Sequence, residues 1–153
     1  RLDYILFFLQ DGAADAAIRA DDCRYLEDLW RRWSPGWRFE PAAMAALRQC
    51  FNETGVASAA LTYYRQAADL TSPAGQAAQA LWQRPIAAPT LGICGADDGC
   101  ILADVFERSM RPDDFPGGLQ VERLAEAGHF VHIEQHERVN RLLLRHLQRA
   151  RTS

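Results

Sequence analysis

Lysine is absent from this chain, and so is any concentration of basic charge: its seventeen basic residues are all arginine and lie scattered along 153 positions. Twenty acidic residues bring the formal net charge to −3, which makes nucleic acid and anionic membrane surfaces poor partners. Long apolar runs are missing as well. The longest, such as Ile5 to Leu9, fall far short of the roughly 20 residues that a spanning helix needs, so no transmembrane segment is expected. CxxC spacing is absent among Cys23, Cys50, Cys94 and Cys100. A chain of this size does not need disulfide staples, so free thiols in a reducing compartment, the cytoplasm, are expected. The chain opens on RLDYILFFLQ without an initiator Met. That resembles neither a signal peptide nor a natural start, and the expectation is that an upstream segment has been lost. What remains is ordinary globular composition, 48% hydrophobic and 24% charged, enough for one domain with a core.

From residue 13 to about 82 the pattern is helical. Cys23, Leu26, Leu29, Trp30 and Trp33 recur at helical spacing opposite Arg24, Asp28, Arg31 and Arg32, so DDCRYLEDLWRRW presents one apolar stripe. SerProGly at 34 to 36 stops that helix. Pro41 sits where a first helical turn tolerates proline, and the next helix runs to the breaker AsnGluThrGly at 52 to 55. VASAALTYYRQAADL predicts a third helix, with SerProAlaGly at 72 to 75 marking its end and a short helix from Ala77 to Trp82 following.

The grammar changes at Arg84 and Pro85. ProThrLeuGlyIleCysGly, 89 to 95, is bounded by Pro and Gly and lacks polar alternation, as expected of a strand covered on both faces. Ile101 to Met110 reads as a helix, and Leu119 to Leu124 alternates with period two. Residues 137 to 150 form a closing amphipathic helix through Val139, Leu142, Leu143 and Leu147. Two strands joined by a helical crossover pair in parallel, and such a pair cannot be a whole sheet. More strands must stand beside it. A lone two-strand unit would leave an unpaired edge and apolar surface, so the isolated polypeptide is expected to be aggregation-prone or partly molten.

In sheets of this type chemistry gathers just past the carboxyl ends of the strands. Asp98 follows the first strand and His129 the second. A carboxylate that accepts a hydrogen bond from one imidazole nitrogen fixes the tautomer, leaving the other to take a proton. Asp97 lies one step nearer the strand and is expected only to cap the turn. His129, His132 and His136 have spacings that metal sites use, but Phe130, Val131 and Ile133 between them argue against one regular helix. No metal and no cofactor is expected. Cys94 and Cys100 read as core and loop thiols, and the tryptophans as packing.

PTLGICGADDGC followed by AGHFVHIEQHERVNRLLLRHL resembles the C-terminal part of α/β-hydrolases of the epoxide hydrolase and haloalkane dehalogenase group. There the penultimate strand leads to a turn bearing the triad acid and the last strand leads to GlyHis. Matching Gly95, Ala96, Asp97 and Asp98 to GxxD selects Asp98 over Asp97. His136 stands where the family has Pro. DYILFFLQDGAAD and AALTYYR resemble the cap segments that carry two active-site tyrosines in epoxide hydrolases, matching Tyr4 and Tyr64.

The resemblance implies a partial α/β-hydrolase fold: a helical cap over residues 1–84, then the last two strands and their helices over 85–153. It also implies the order nucleophile, acid, His, yet neither GxSxG nor GxDxG occurs, so the chain alone should not turn over substrate. The implied reaction is epoxide hydrolysis through an ester on an Asp outside these residues, with His129 activating water and Tyr4 and Tyr64 holding the epoxide oxygen. Its partners would be a small apolar epoxide or halide and water. A haloalkane or haloacid dehalogenase or an esterase of the same fold is the alternative, and a non-catalytic binding protein the third.

Overall fold

A computed structural model of the chain describes residues 3–150. They fall into two compact units: 38–83 join the residues up to 31, while 32–37 join those from 84 onward.

The first unit is helical. It contains α1 (Asp3–Phe8), most of α2 (Ala13–Trp33), α3 (Pro41–Asn52), α4 (Val56–Ala68) and α5 (Pro73–Trp82). α4 is the shared element, since α1, α3 and α5 each pack against it. Ile18, Leu29 and Leu61 are fully buried, each worth about 1.5–3 kcal/mol of transfer free energy. Of the predicted stripe, Cys23, Leu26 and Leu29 are buried here, as is Trp33 in the second unit, while Trp30 is half-buried. The expectation of an unbroken helix there is corrected, because Asp21, Asp22 and Cys23 adopt left-handed φ of 48°, 55° and 62° after an extended Ala20. Aspartate tolerates that conformation better than most residues, and the corner lets Cys23 bury its thiol, which burial pushes above its ordinary pKa. SerProAlaGly is also corrected, from a helix end to a helix start. Ser72 caps α5 by accepting a hydrogen bond from the Gly75 amide at 3.1 Å, and Pro73 occupies the first helical position.

The second unit carries β1 (Thr90–Gly95), α6 (Ala103–Ser109), a 3-10 turn at Pro112–Asp114, β2 (Leu119–Leu124), α7 (Val131–Glu134) and α8 (His136–Ala150). The strands pair in parallel from Thr90 with Leu119 to Gly95 with Leu124, and α6 lies in the crossover between them. Leu124, Ala127, Val139 and Leu142 form the core, with Leu91, Ile93 and Val131 against it. α8 departs from expectation on one side. Val139 and Leu142 are buried, but Leu143 and Leu147 are 43% and 58% exposed. No helix among the described residues is long and apolar enough to cross a membrane.

The strand ends come so close that Gly95 admits no side chain. A Cβ there would lie 2.1 Å from the Gly128 carbonyl oxygen and 2.3 Å from that of Ala127. This contact sets the two loops beyond β1 and β2 side by side.

Candidate active site

Both loops are built from main-chain hydrogen bonds. The Ala96 amide donates to Leu124 at 2.8 Å, and the Asp97 amide donates to Ala127 at 2.8 Å. The Asp98 side chain then turns back: its Oδ1 accepts from the Cys100 and Ile101 amides at 2.7 and 2.9 Å, an Asx-type turn that fixes the carboxylate. Oδ2 lies 3.0 Å from His129 Nδ1. The turn cap expected of Asp97 is thus made by Asp98, which does both jobs, while Asp97 is exposed.

Because an ionised carboxylate only accepts, the Nδ1 proton sits on the ring and Nε2 is left as the basic nitrogen. The Asp98 side chain is 9% exposed and that of His129 29%, so the acid is sheltered and the base keeps access to solvent. Burial opposes charge on Asp98, but the hydrogen bond from His129 and those from the Ile101 and Cys100 amides outweigh it. The carboxyl is held below its ordinary pKa.

That shift has a consequence for acid stability. A carboxyl whose folded pKa lies below the unfolded value contributes stability that is complete above the unfolded value and is lost as pH falls through the folded one. Unfolding midpoints of the protein are expected to drop more steeply than those of Asp98→Asn on acidification from about pH 4 to about pH 2. Parallel midpoint curves would show that the pair contributes nothing.

The residues that hold His129 from behind were not foreseen. Trp33 places its ring 5.0 Å from the imidazole, Phe130 lies 5.3 Å from it, and those two rings are 6.1 Å apart. The Trp33 carbonyl accepts from both the Gly99 and His129 amides, at 2.9 and 3.1 Å, so one peptide group anchors the acid loop and the base loop together. Ser34, fully buried, donates from its hydroxyl to Glu134 Oε1 at 2.7 Å. Glu134 in turn accepts from the Phe130 amide at 3.1 Å through Oε1 and from the Gly128 amide at 2.9 Å through Oε2. The one available signal was Ser34 just past a helix end, which a stop motif explains equally well.

No family model and no curated protein sequence matches the chain. Solved structures do. A Klebsiella pneumoniae protein assigned as an epoxide hydrolase superposes with a TM-score of 0.77 at 20% identity over 94% of this chain and 48% of its own. Cfl2 from Burkholderia cenocepacia gives 0.71 at 22% identity, over 94% and 46%. The haloalkane dehalogenase DatA from Agrobacterium tumefaciens gives 0.68 at 18%, over 97% and 51%. The chain has the fold of the C-terminal portion of an α/β-hydrolase. It spans about half the length of these structures and corresponds to their C-terminal portion.

Within this portion of the α/β-hydrolase fold, the two tyrosines singled out in the sequence also meet. In the helical unit the Tyr4 and Tyr64 rings stand edge to face, 6.0 Å apart at 86°, and Phe8 packs on both at 5.5 and 4.9 Å. Arg65, beside Tyr64 on α4, donates to the Phe8 carbonyl at the end of α1 at 3.3 Å. It also pairs with Asp15 at 2.5 Å and Asp11 at 3.2 Å. Its guanidinium holds the Asp15 carboxyl below the ordinary range. The arginine therefore ties α4 to the α1–α2 corner that carries Tyr4. His132 and His136 are exposed, on α7 and α8. Cys94 is buried, and burial pushes its thiol up, which disfavours the thiolate a nucleophile requires.

Proposed function

We propose that the protein is a hydrolase of the epoxide hydrolase type. The observation that carries this reading is the Asp98–His129 pair, 3.0 Å apart at the ends of successive parallel strands. A carboxylate nucleophile from outside these residues attacks an epoxide carbon and breaks its bond to oxygen. The phenols of Tyr4 and Tyr64 stabilise that oxygen and supply its proton, a phenol being a donor while neutral. His129, oriented by Asp98, removes a proton from water, the resulting hydroxide cleaves the ester, releasing a diol and restoring the carboxylate, and the proton taken up by His129 returns to the tyrosine that gave one up. The helical unit serves as the lid.

Dehalogenation is the second reading, favoured by the structural likeness to a haloalkane dehalogenase. The two part on products. With a nucleophile-bearing α/β half supplied, the protein is expected to form a diol from an epoxide and to release no halide from a haloalkane. Tyr4→Phe and Tyr64→Phe should each slow diol formation about 10²-fold. Halide release without diol would transfer the assignment to the second reading. Neither product from either substrate would reject both.

A further inference from the structure

Three consecutive amides, those of Gly128, His129 and Phe130, are all captured from behind. Glu134 takes the first and third, and the Trp33 carbonyl takes the second. The carboxylate is matched to this task because only donors converge on it: two main-chain N–H groups and the Ser34 hydroxyl. A carboxylate offers acceptors alone, whereas a glutamine in its place would turn an NH2 toward one of those donors. Gly128 is shaped to the same contact, since a Cβ there would stand 2.5 Å from Ser34 Cα and 2.6 Å from its Oγ.

An ordinary reading is available, in which Glu134 merely reaches back over the first turn of α7, in the manner of a capping box. Two features go beyond that. The carboxylate spans both sides of His129 instead of satisfying one helix amide, and it is itself held by a fully buried serine 100 residues away in the chain. A base must be aimed to within a fraction of an ångström, because a misplacement of about 1 Å can cost about 10²-fold in rate.

We propose that Glu134 and Ser34 are positioning residues that aim the imidazole of His129 at its water. This rests on the reading of His129 as the general base. Glu134 fixes the main chain on either side of the ring, Asp98 fixes the ring's rotation, and Ser34 fixes Glu134 while also accepting from the Phe130 amide at 3.3 Å.

The test reads the imidazole itself. Nitrogen-edited NMR of the protein is expected to show a low-field Nδ1 proton on His129, exchanging slowly with water and lost in Asp98→Asn. In Glu134→Gln that proton should exchange about tenfold faster or more, as a looser loop opens the pair to solvent. Ser34→Ala, a milder change that keeps the carboxylate, should give a smaller increase. The double variant should be somewhat worse than Glu134→Gln alone, because the Ser34 hydroxyl also accepts from the Phe130 amide directly. In the protein with its nucleophile supplied, Glu134→Gln should lower kcat about tenfold or more while KM moves less than about twofold. Unchanged proton exchange and kcat in both single variants, with only a lower melting temperature, would reduce Glu134 to a helix cap and overturn the proposal. A low-field proton that responds as described in a protein without turnover would sustain the positioning device and reject the base. A protein lacking the proton altogether would reject both.

Discussion

With His129 replaced by Ala, turnover is expected to fall about 10³-fold and the reaction to stall at its covalent ester. The logic lies in the division of labour. Ring opening needs a carboxylate and a donor for the epoxide oxygen, neither of which is His129, so the first half-reaction survives the substitution. Ester hydrolysis needs a proton taken from water, and Nε2 of His129 is the nitrogen left free for it by the Nδ1 contact to Asp98. Mass spectrometry of the nucleophile-bearing polypeptide after exposure to an epoxide should therefore show an adduct one substrate heavier. Steady turnover with no adduct would remove His129 from the mechanism. An adduct that hydrolyses as fast as in the unsubstituted protein would do the same.

The second large effect is structural. Gly95→Ala is expected to destabilise the protein by about 3 kcal/mol, the upper end of overpacking costs. The added methyl would face two main-chain oxygens of the neighbouring loop at 2.1 and 2.3 Å. Neither belongs to a side chain that can swing aside, so relief requires the ends of β1 and β2 to part. Parting them also separates Asp98 from His129, so the low-field imidazole proton should be lost along with stability. Gly36→Ala is the control, because nothing lies within 4 Å of its added Cβ, and it should change stability by less than about 0.5 kcal/mol. Urea unfolding of both variants measures the difference. A Gly95→Ala loss no larger than that of the control would mean that the loops yield easily and that their closeness does not hold the site together.

Much of this arrangement was readable from residue order, and the reasons are specific. The alternation of Leu119 to Leu124 matches β2 residue for residue, and the Pro- and Gly-bounded run 89 to 95 contains β1, because period and punctuation are local properties. Asp98 and His129 could be singled out because each sits just past a strand, where the side chains of a parallel sheet converge. The corner at Asp21 to Cys23 could not be read. It holds neither Gly nor Pro, and the chain is bent there by left-handed residues whose cost the surrounding packing must outweigh. SerProAlaGly was legible as punctuation but not in direction, since serine and proline mark a helix start as readily as proline and glycine mark an end. The exposed leucines of α8 follow the helical period, and period alone does not say whether a neighbour covers them. Ser34 and Glu134 were invisible for a different reason. Each looks like an ordinary polar residue in its own segment, and their meaning comes from a hydrogen bond across 100 positions of sequence.

The Trp33 carbonyl, which receives one amide from each loop, bears on how this protein can change over time. The Trp33 ring and the Ser34 hydroxyl have contacts of their own, but the anchor, being main chain, is indifferent to which side chain is attached. It is not indifferent to length. A single residue gained or lost between Arg32 and Gly36 would displace that peptide group, and both amides would miss it at once. Descendants of this chain should therefore almost never carry insertions or deletions at this junction.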